Sequence, residues 1–211
     1  MAIATRTRQT RREPVPGPTS PARPVRLWPA LMVVGGLVGM VSGAWQTVER
    51  IHFAAGTNAD AFCEINAVLS CNSVFTHWQS SALGIPNSLI SLPVFALLAS
   101  GGLAALLGTH LSRGYAVALL GTTLFMAAFL TWYMQQSAFA IGVLCIYCTA
   151  CAAAVVAVGI GVTRVVDAEQ ALGTGRAGRQ LRLLVEARAD LIIWAGLAAL
   201  IAVLLYLGLA L

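Results

Sequence analysis

Apolar and polar positions alternate along this chain in long blocks rather than at the period of a surface helix or strand. Residues 27–48, 85–108, 115–163 and 191–211 carry no charged side chain. At about 1.5 Å of rise per residue, some 20 residues cross the roughly 30 Å hydrocarbon layer of a bilayer. The first, second and last blocks each predict one spanning helix. The 115–163 block is too long for one. Its polar cluster Gln135-Gln136-Ser137, followed by Gly142, predicts a break, with a third helix from about Tyr115 to Gln136 and a fourth from Val143 to Thr163. The pattern thus predicts an all-α integral membrane protein of five transmembrane helices. The first block is too long for a signal-peptide core, so it reads as a retained helix. Between the blocks lie a mixed polar segment at 49–84, a tight turn at 109–114 and a second polar segment at 164–190. Residues 1–26, rich in Arg, Pro and Thr, lack the apolar residues to bury a core and are expected to be a disordered arm.

Composition agrees: 58% of residues are hydrophobic and 10% charged, against about a quarter charged in soluble domains. All 13 cations are arginine, which removes lysine-based chemistry such as a Schiff base or a P-loop. The net charge of +5 gives no reason to expect nucleic acid, because the arginines cluster outside the apolar blocks. Their placement sets an orientation. Six lie in the 1–26 arm, one in the 109–114 turn and five at 164–190, whereas the 49–84 segment holds only Arg50. By the positive-inside rule the N-terminus and the Arg-bearing connections are cytoplasmic, and the 49–84 loop, the 137–142 turn and the C-terminus lie outside.

That orientation brings four of the five cysteines to one side. Cys63 and Cys71 stand in the outer loop. Cys145 and Cys148, in the stretch VLCIYCTAC, are expected in the first two turns of the fourth helix, three residues apart and on one face. The outer side is where disulfides form and persist. A thiol at a helix N-terminus is biased toward thiolate, while an apolar surround opposes ionisation. Thiol–disulfide exchange moves electrons in steps through mixed disulfides. A loop pair above a helix pair suits such a relay: the first meets a soluble protein, the second a lipid-soluble carrier such as a quinone, held in a flat apolar pocket with a few hydrogen-bonding groups.

These residues resemble bacterial members of the vitamin K epoxide reductase family. The resemblance covers about residues 27–163 and rests on the Cys63-x7-Cys71 pair followed by Val74-Phe75-Thr76, on Gly84-Ile85-Pro86-Asn87-Ser88 opening the second helix, and on Cys145-Ile146-Tyr147-Cys148. It implies a four-helix transmembrane bundle around a quinone, capped by the loop, with the fifth C-terminal helix as an addition. It implies that Cys145 and Cys148 are the active-site pair and that Cys148 reacts with the quinone, menaquinone or ubiquinone. One loop cysteine would attack Cys145 and the other exchange with a thioredoxin-like (DsbA-like) partner. Asn87 would hydrogen-bond a quinone carbonyl, with Phe75 and Thr76 beside it. The resemblance places the protein in a bacterial inner membrane. With an apolar 191–211 block at its end, the chain is expected to carry no fused thioredoxin-like domain, and the partner to be a separate extracytoplasmic protein. Two positions depart from the family pattern. Ala152 stands where a quinone-contacting tyrosine is frequent, and the Ser or Thr after the second loop cysteine falls on His77 without a gap, or on Thr76 with one.

Blander readings weigh differently at each site. Cys151 has no partner in this scheme and reads as helix packing. Cys63 and Cys71 could form a static disulfide, and Asn87 could cap its helix. Zinc wants four closed ligands, and His77 is the only histidine well placed to join the outer cysteines. Haem attachment wants His where Thr149 stands. The rival of another class is a soft-metal-handling membrane transporter using the thiols as ligands, against which stands the expectation that no charge lies inside the spans.

Overall fold

The computed structural model describes residues 26–57 and 68–210. Cys63 and the arm expected before Arg26 lie outside them. Five helices are long and apolar enough to cross a membrane: α1 Leu27–Ala54, α3 Asn87–Leu106, α4 Arg113–Gln136, α5 Ile146–Ala168 and α7 Ala189–Ala210. Two shorter helices, α2 Cys71–Phe75 and α6 Arg176–Glu186, complete the set, and no strand longer than an isolated bridge occurs among the described residues. The chain is an all-α integral membrane protein.

α1 is the hub. It packs along both α3 and α5, and small residues permit the approach. A side chain at Gly36 would run into the backbone of Ala99, and one at Gly39 into the Phe95 ring. Bundles in lipid gain from such close contacts because no hydrophobic effect drives helix against helix there. Gly36→Leu is expected to destabilise the bundle by about 3 kcal/mol, seen as a lower midpoint for thermal unfolding in detergent. An unchanged midpoint would contradict the packing described.

The helices differ from the sequence expectation at their ends. α1 runs six residues past Val48, because Glu49 is buried against the Trp45 indole (Nε1 to Oε1, 3.1 Å) and Arg50 is spent on the loop above. α4 does end at Gln136 as expected, and the chain runs straight on into a π turn, Ser137–Ile141, closed by Gly142 at φ +76°. Such a left-handed closing residue favours glycine. α5 begins at Ile146, not Val143, so Cys145 precedes the helix in extended conformation (φ −96°, ψ 122°). The polar segment 164–190 splits: Arg164 belongs to α5, residues 176–186 form α6, and Asp190 belongs to α7.

The expectation of charge-free spans is corrected. Glu49 and Arg50 lie in α1, Arg164 and Asp167 in α5, and Asp190 in α7. Arg164 and Asp190 neutralise each other through a two-point contact (Nε to Oδ2, 2.7 Å; Nη2 to Oδ1, 3.0 Å), and the guanidinium also lies over the Trp28 ring at 4.2 Å. With Trp194 seated on Gly159 and donating to Thr163 Oγ1 at 3.2 Å, this pair fastens α7 to α5.

Candidate functional site

Three local devices assemble the site at the end of the bundle where the α2 segment lies. Ser70 caps α2, its hydroxyl accepting from the Ser73 amide at 3.2 Å, which sets Cys71 as the first helical residue. The backbone just before this cap pairs with the extended segment before α5: Leu144 N–H donates to Val68 O at 2.7 Å and Ser70 N–H to Leu144 O at 3.2 Å. The Ser137 hydroxyl, from the π turn, holds the Val143 carbonyl. Cys71 and Cys145 each follow the paired residues by one or two positions, so pairing the backbones brings their side chains together.

Cys71 Sγ lies 3.3 Å from Cys145 Sγ, and both residues are fully buried. Cys71 is in a disulfide, while Cys145, Cys148 and Cys151 are free thiols. Hydrogen bonding with the Cys148 thiol lowers the Cys145 pKa below its ordinary value, and burial opposes this. The amides of Cys148 and Tyr147 act in the lowering direction, though neither closes a capping hydrogen bond to Cys145.

Cys148 lines a cleft between α1, α3, α4 and α5. Phe95, Met126, Phe129 and Leu130 make its apolar wall, and Gln46, Arg50, Asn87, Ser88, Ser91 and Tyr133 supply polar groups. Phe75 roofs it, with the Arg50 guanidinium 5.8 Å from the ring centre. Arg50 also donates to Ser80 Oγ at 3.0 Å and Ser81 Oγ at 2.9 Å, tying the 3₁₀ turn Trp78–Ser81 over the cleft to α1. Apolar walls with a few convergent polar groups are the lining that a flat, largely apolar ligand needs.

A family model described as the vitamin K epoxide reductase family matches residues 30–163. The chain belongs to the vitamin K epoxide reductase family. No curated protein matches it. Family membership makes the chain a membrane oxidoreductase that joins thiol–disulfide chemistry to a quinone acceptor. The matched region comprises α1 to α4 and most of α5, and α6 and α7 follow it.

Within this vitamin K epoxide reductase bundle the expected residues fall in different places. Cys71, Cys145 and Cys148 come together, and Cys63 lies outside the described residues. Asn87 and Phe75 line the cleft. Asn87 does not cap α3; its Nδ2 donates to Gln79 O at 2.7 Å, and its buried Oδ1 has no protein partner. An orphaned buried amide oxygen beside the cleft fits a ligand that can donate to it, as a quinol hydroxyl can, and the second N–H of Nδ2 fits a carbonyl. Thr76 is not part of the lining. It is exposed, and its hydroxyl donates to Ser73 O at 2.8 Å, because α2 ends there and the side chain folds back on its own turn. Cys151, read as packing, does line the cleft beside Cys148.

Gln46, Arg50, Ser88, Ser91 and Tyr133 had no assigned place. Gln46 could have been noticed as a lone amide inside an apolar block, since polar side chains in a membrane span mark function more often than chance. Nothing in the sequence marks Tyr133, whose place depends on how α4 meets α5. α7 is a further surprise: its Ile201 packs into the same cluster as Cys145, Cys148 and Tyr133.

Proposed function

We propose that the chain oxidises an extracytoplasmic thioredoxin-like protein and delivers the electrons to a membrane quinone, supporting disulfide-bond formation. The observation that carries this reading is the Cys71–Cys145 contact with Cys148 on the far side of it, in the cleft wall. The partner's dithiol reduces the loop pair Cys63/Cys71 and leaves as a disulfide. Cys71 then attacks Cys145 in the Cys145–Cys148 disulfide, forming a Cys71–Cys145 bond and releasing the Cys148 thiolate. Cys63 resolves that bond, so the loop pair is again a disulfide and Cys145/Cys148 a dithiol. A bound quinone takes two electrons and two protons and so returns the helix pair to its disulfide. Asn87 orients the ring through its free amide groups. Tyr133, buried in the cluster that contains Ala152, supplies the second hydroxyl contact that Ala152 cannot. The basic α6 side faces the cytoplasm, which sets the cysteine end outside a bacterial plasma membrane.

Purified protein with a reduced thioredoxin-like domain and a short-tailed quinone should consume quinone and form partner disulfide in equal amounts. Consumption of quinone that is independent of the dithiol protein would sink the reading. Asn87→Leu is expected to raise the apparent KM for quinone about five- to tenfold, the weight of about one hydrogen bond, with a smaller change in kcat. A KM equal to wild type would remove Asn87 from the site.

A further inference from the structure

The Gln46 amide touches both sulfurs of the helix pair. Its Nε2 donates to Cys148 Sγ at 3.1 Å and reaches Cys145 Sγ at 3.5 Å. The contact is not an accident of local helix geometry, because Gln46 comes from α1 and the cysteines from the start of α5. It depends on α1 lying close along α5, which Gly35 permits where it abuts Ala154 and Val158. A part-buried amide within an apolar span is costly unless its N–H groups are used, and the sulfurs are the partners given to this one.

What the amide does follows from how well each form of sulfur accepts. A thiolate is a strong, charge-assisted acceptor, while a thiol or disulfide sulfur is a weak one. An N–H held between the two sulfurs therefore stabilises the reduced pair, which can ionise, more than the disulfide, which cannot. Stabilising the reduced form of a thiol pair makes that pair the stronger oxidant. We infer that Gln46 is a positioning residue that biases Cys145/Cys148 toward the dithiol state and so strengthens its pull on electrons from the loop pair. The inference rests on Cys145/Cys148 being the redox pair of the proposed relay. No bond to Gln46 forms or breaks; the electrons and protons move as in that relay.

Other groups face the same sulfurs and form a constant background. They are Tyr133 from α4, Tyr147 and Cys151 from α5, and the disulfide-bonded Cys71 from α2, with Glu49 and Arg50 of α1 acting at one remove on Tyr147 and Tyr133. α7 brings Ile201, which does not titrate.

The test uses the full-length protein in detergent or nanodiscs, with Gln46→Met, similar in volume and without a donor, and Gln46→Leu. Each is equilibrated in dithiothreitol redox buffers, and the mass shift on alkylation of the peptide carrying Cys145 and Cys148 gives the dithiol fraction. Alkylation rate against pH gives the ionisation midpoint. Loss of the amide is expected to move the equilibrium toward the disulfide about tenfold, close to 30 mV for a two-electron couple, and to move the ionisation midpoint to higher pH. Both quantities within twofold of wild type in either folded variant would overturn the inference, and one folded variant suffices to decide. Quinone turnover by the wild type is measured alongside. A wild type without turnover whose thiol equilibrium still shifts on losing Gln46 would overturn the proposed function and leave this inference standing.

Discussion

Cys148→Ser is expected to lower dithiol-driven quinone reduction by about a thousandfold or more, the scale of losing an essential nucleophile. The sulfur lies in the wall of the cleft, and serine fits the same space without offering a two-electron donor or a disulfide partner for Cys145. The loss alone would not tell chemistry from misfolding. A second readout does. With Cys148 gone, a Cys145 thiolate 3.3 Å from Cys71 has nothing to compete for it. It can attack the loop disulfide and release the Cys63 thiolate, and the resulting Cys71–Cys145 bond is then resolved by Cys63 alone, where wild type has Cys148 as well. Peptide mapping without reductant should therefore find that crosslink accumulating in Cys148→Ser and scarce in wild type. Turnover near the wild-type rate, or a dead variant with no Cys71–Cys145 crosslink, would be incompatible with the relay proposed.

Asp190→Ala carries the largest expected cost in stability. The carboxylate is 2% exposed and receives both contacts from Arg164. Removing one member of a buried ion pair leaves the other charge desolvated, typically a loss of about 3–5 kcal/mol. The damage should spread to the site, because α7 also supplies Ile201 to the cluster around Cys145 and Cys148. The expected result is a lower unfolding midpoint together with faster alkylation of Cys148. The double change Arg164→Met with Asp190→Leu removes both charges and should recover most of the midpoint. A single variant as stable as wild type, or a double variant no better than the single, would show that the pair does not hold α7.

Much of the architecture was legible because its causes are local. A charge-free run of some 20 residues has few options in water, and the polar connections separated four such runs, one of them long enough for two helices, before any contact was known. The break between the third and fourth helices was announced by Gln135, Gln136, Ser137 and Gly142, and the π turn with its glycine closure stands there. Charge inside the spans was misjudged for a physical reason. The helices extend past the apolar blocks, and a charge at a block's edge can be carried inward when a partner such as Arg164 for Asp190, or Trp45 for Glu49, meets it.

The candidate site divides along the same line. The Cys145-x-x-Cys148 spacing, the second cysteine pair and the Asn87 segment are matters of order along the chain. They pointed to thiol chemistry next to a lipid-soluble acceptor before the fold was known. The helix boundary that leaves Cys145 extended, the backbone pairing of residues 68–70 with Leu144 that brings Cys71 onto it, and the turn that sends Thr76 away from the cleft could not be read from order alone. Nor could the arrival of Gln46 from α1 and Tyr133 from α4 beside Cys148. By itself the sequence determined the membrane class, the spans and the reactive residue types, because each depends on transfer energies and spacing within one segment. Only the tertiary structure decided which side chains touch the sulfurs, because that depends on how closely separate helices approach, and glycines set that approach without announcing what will face them.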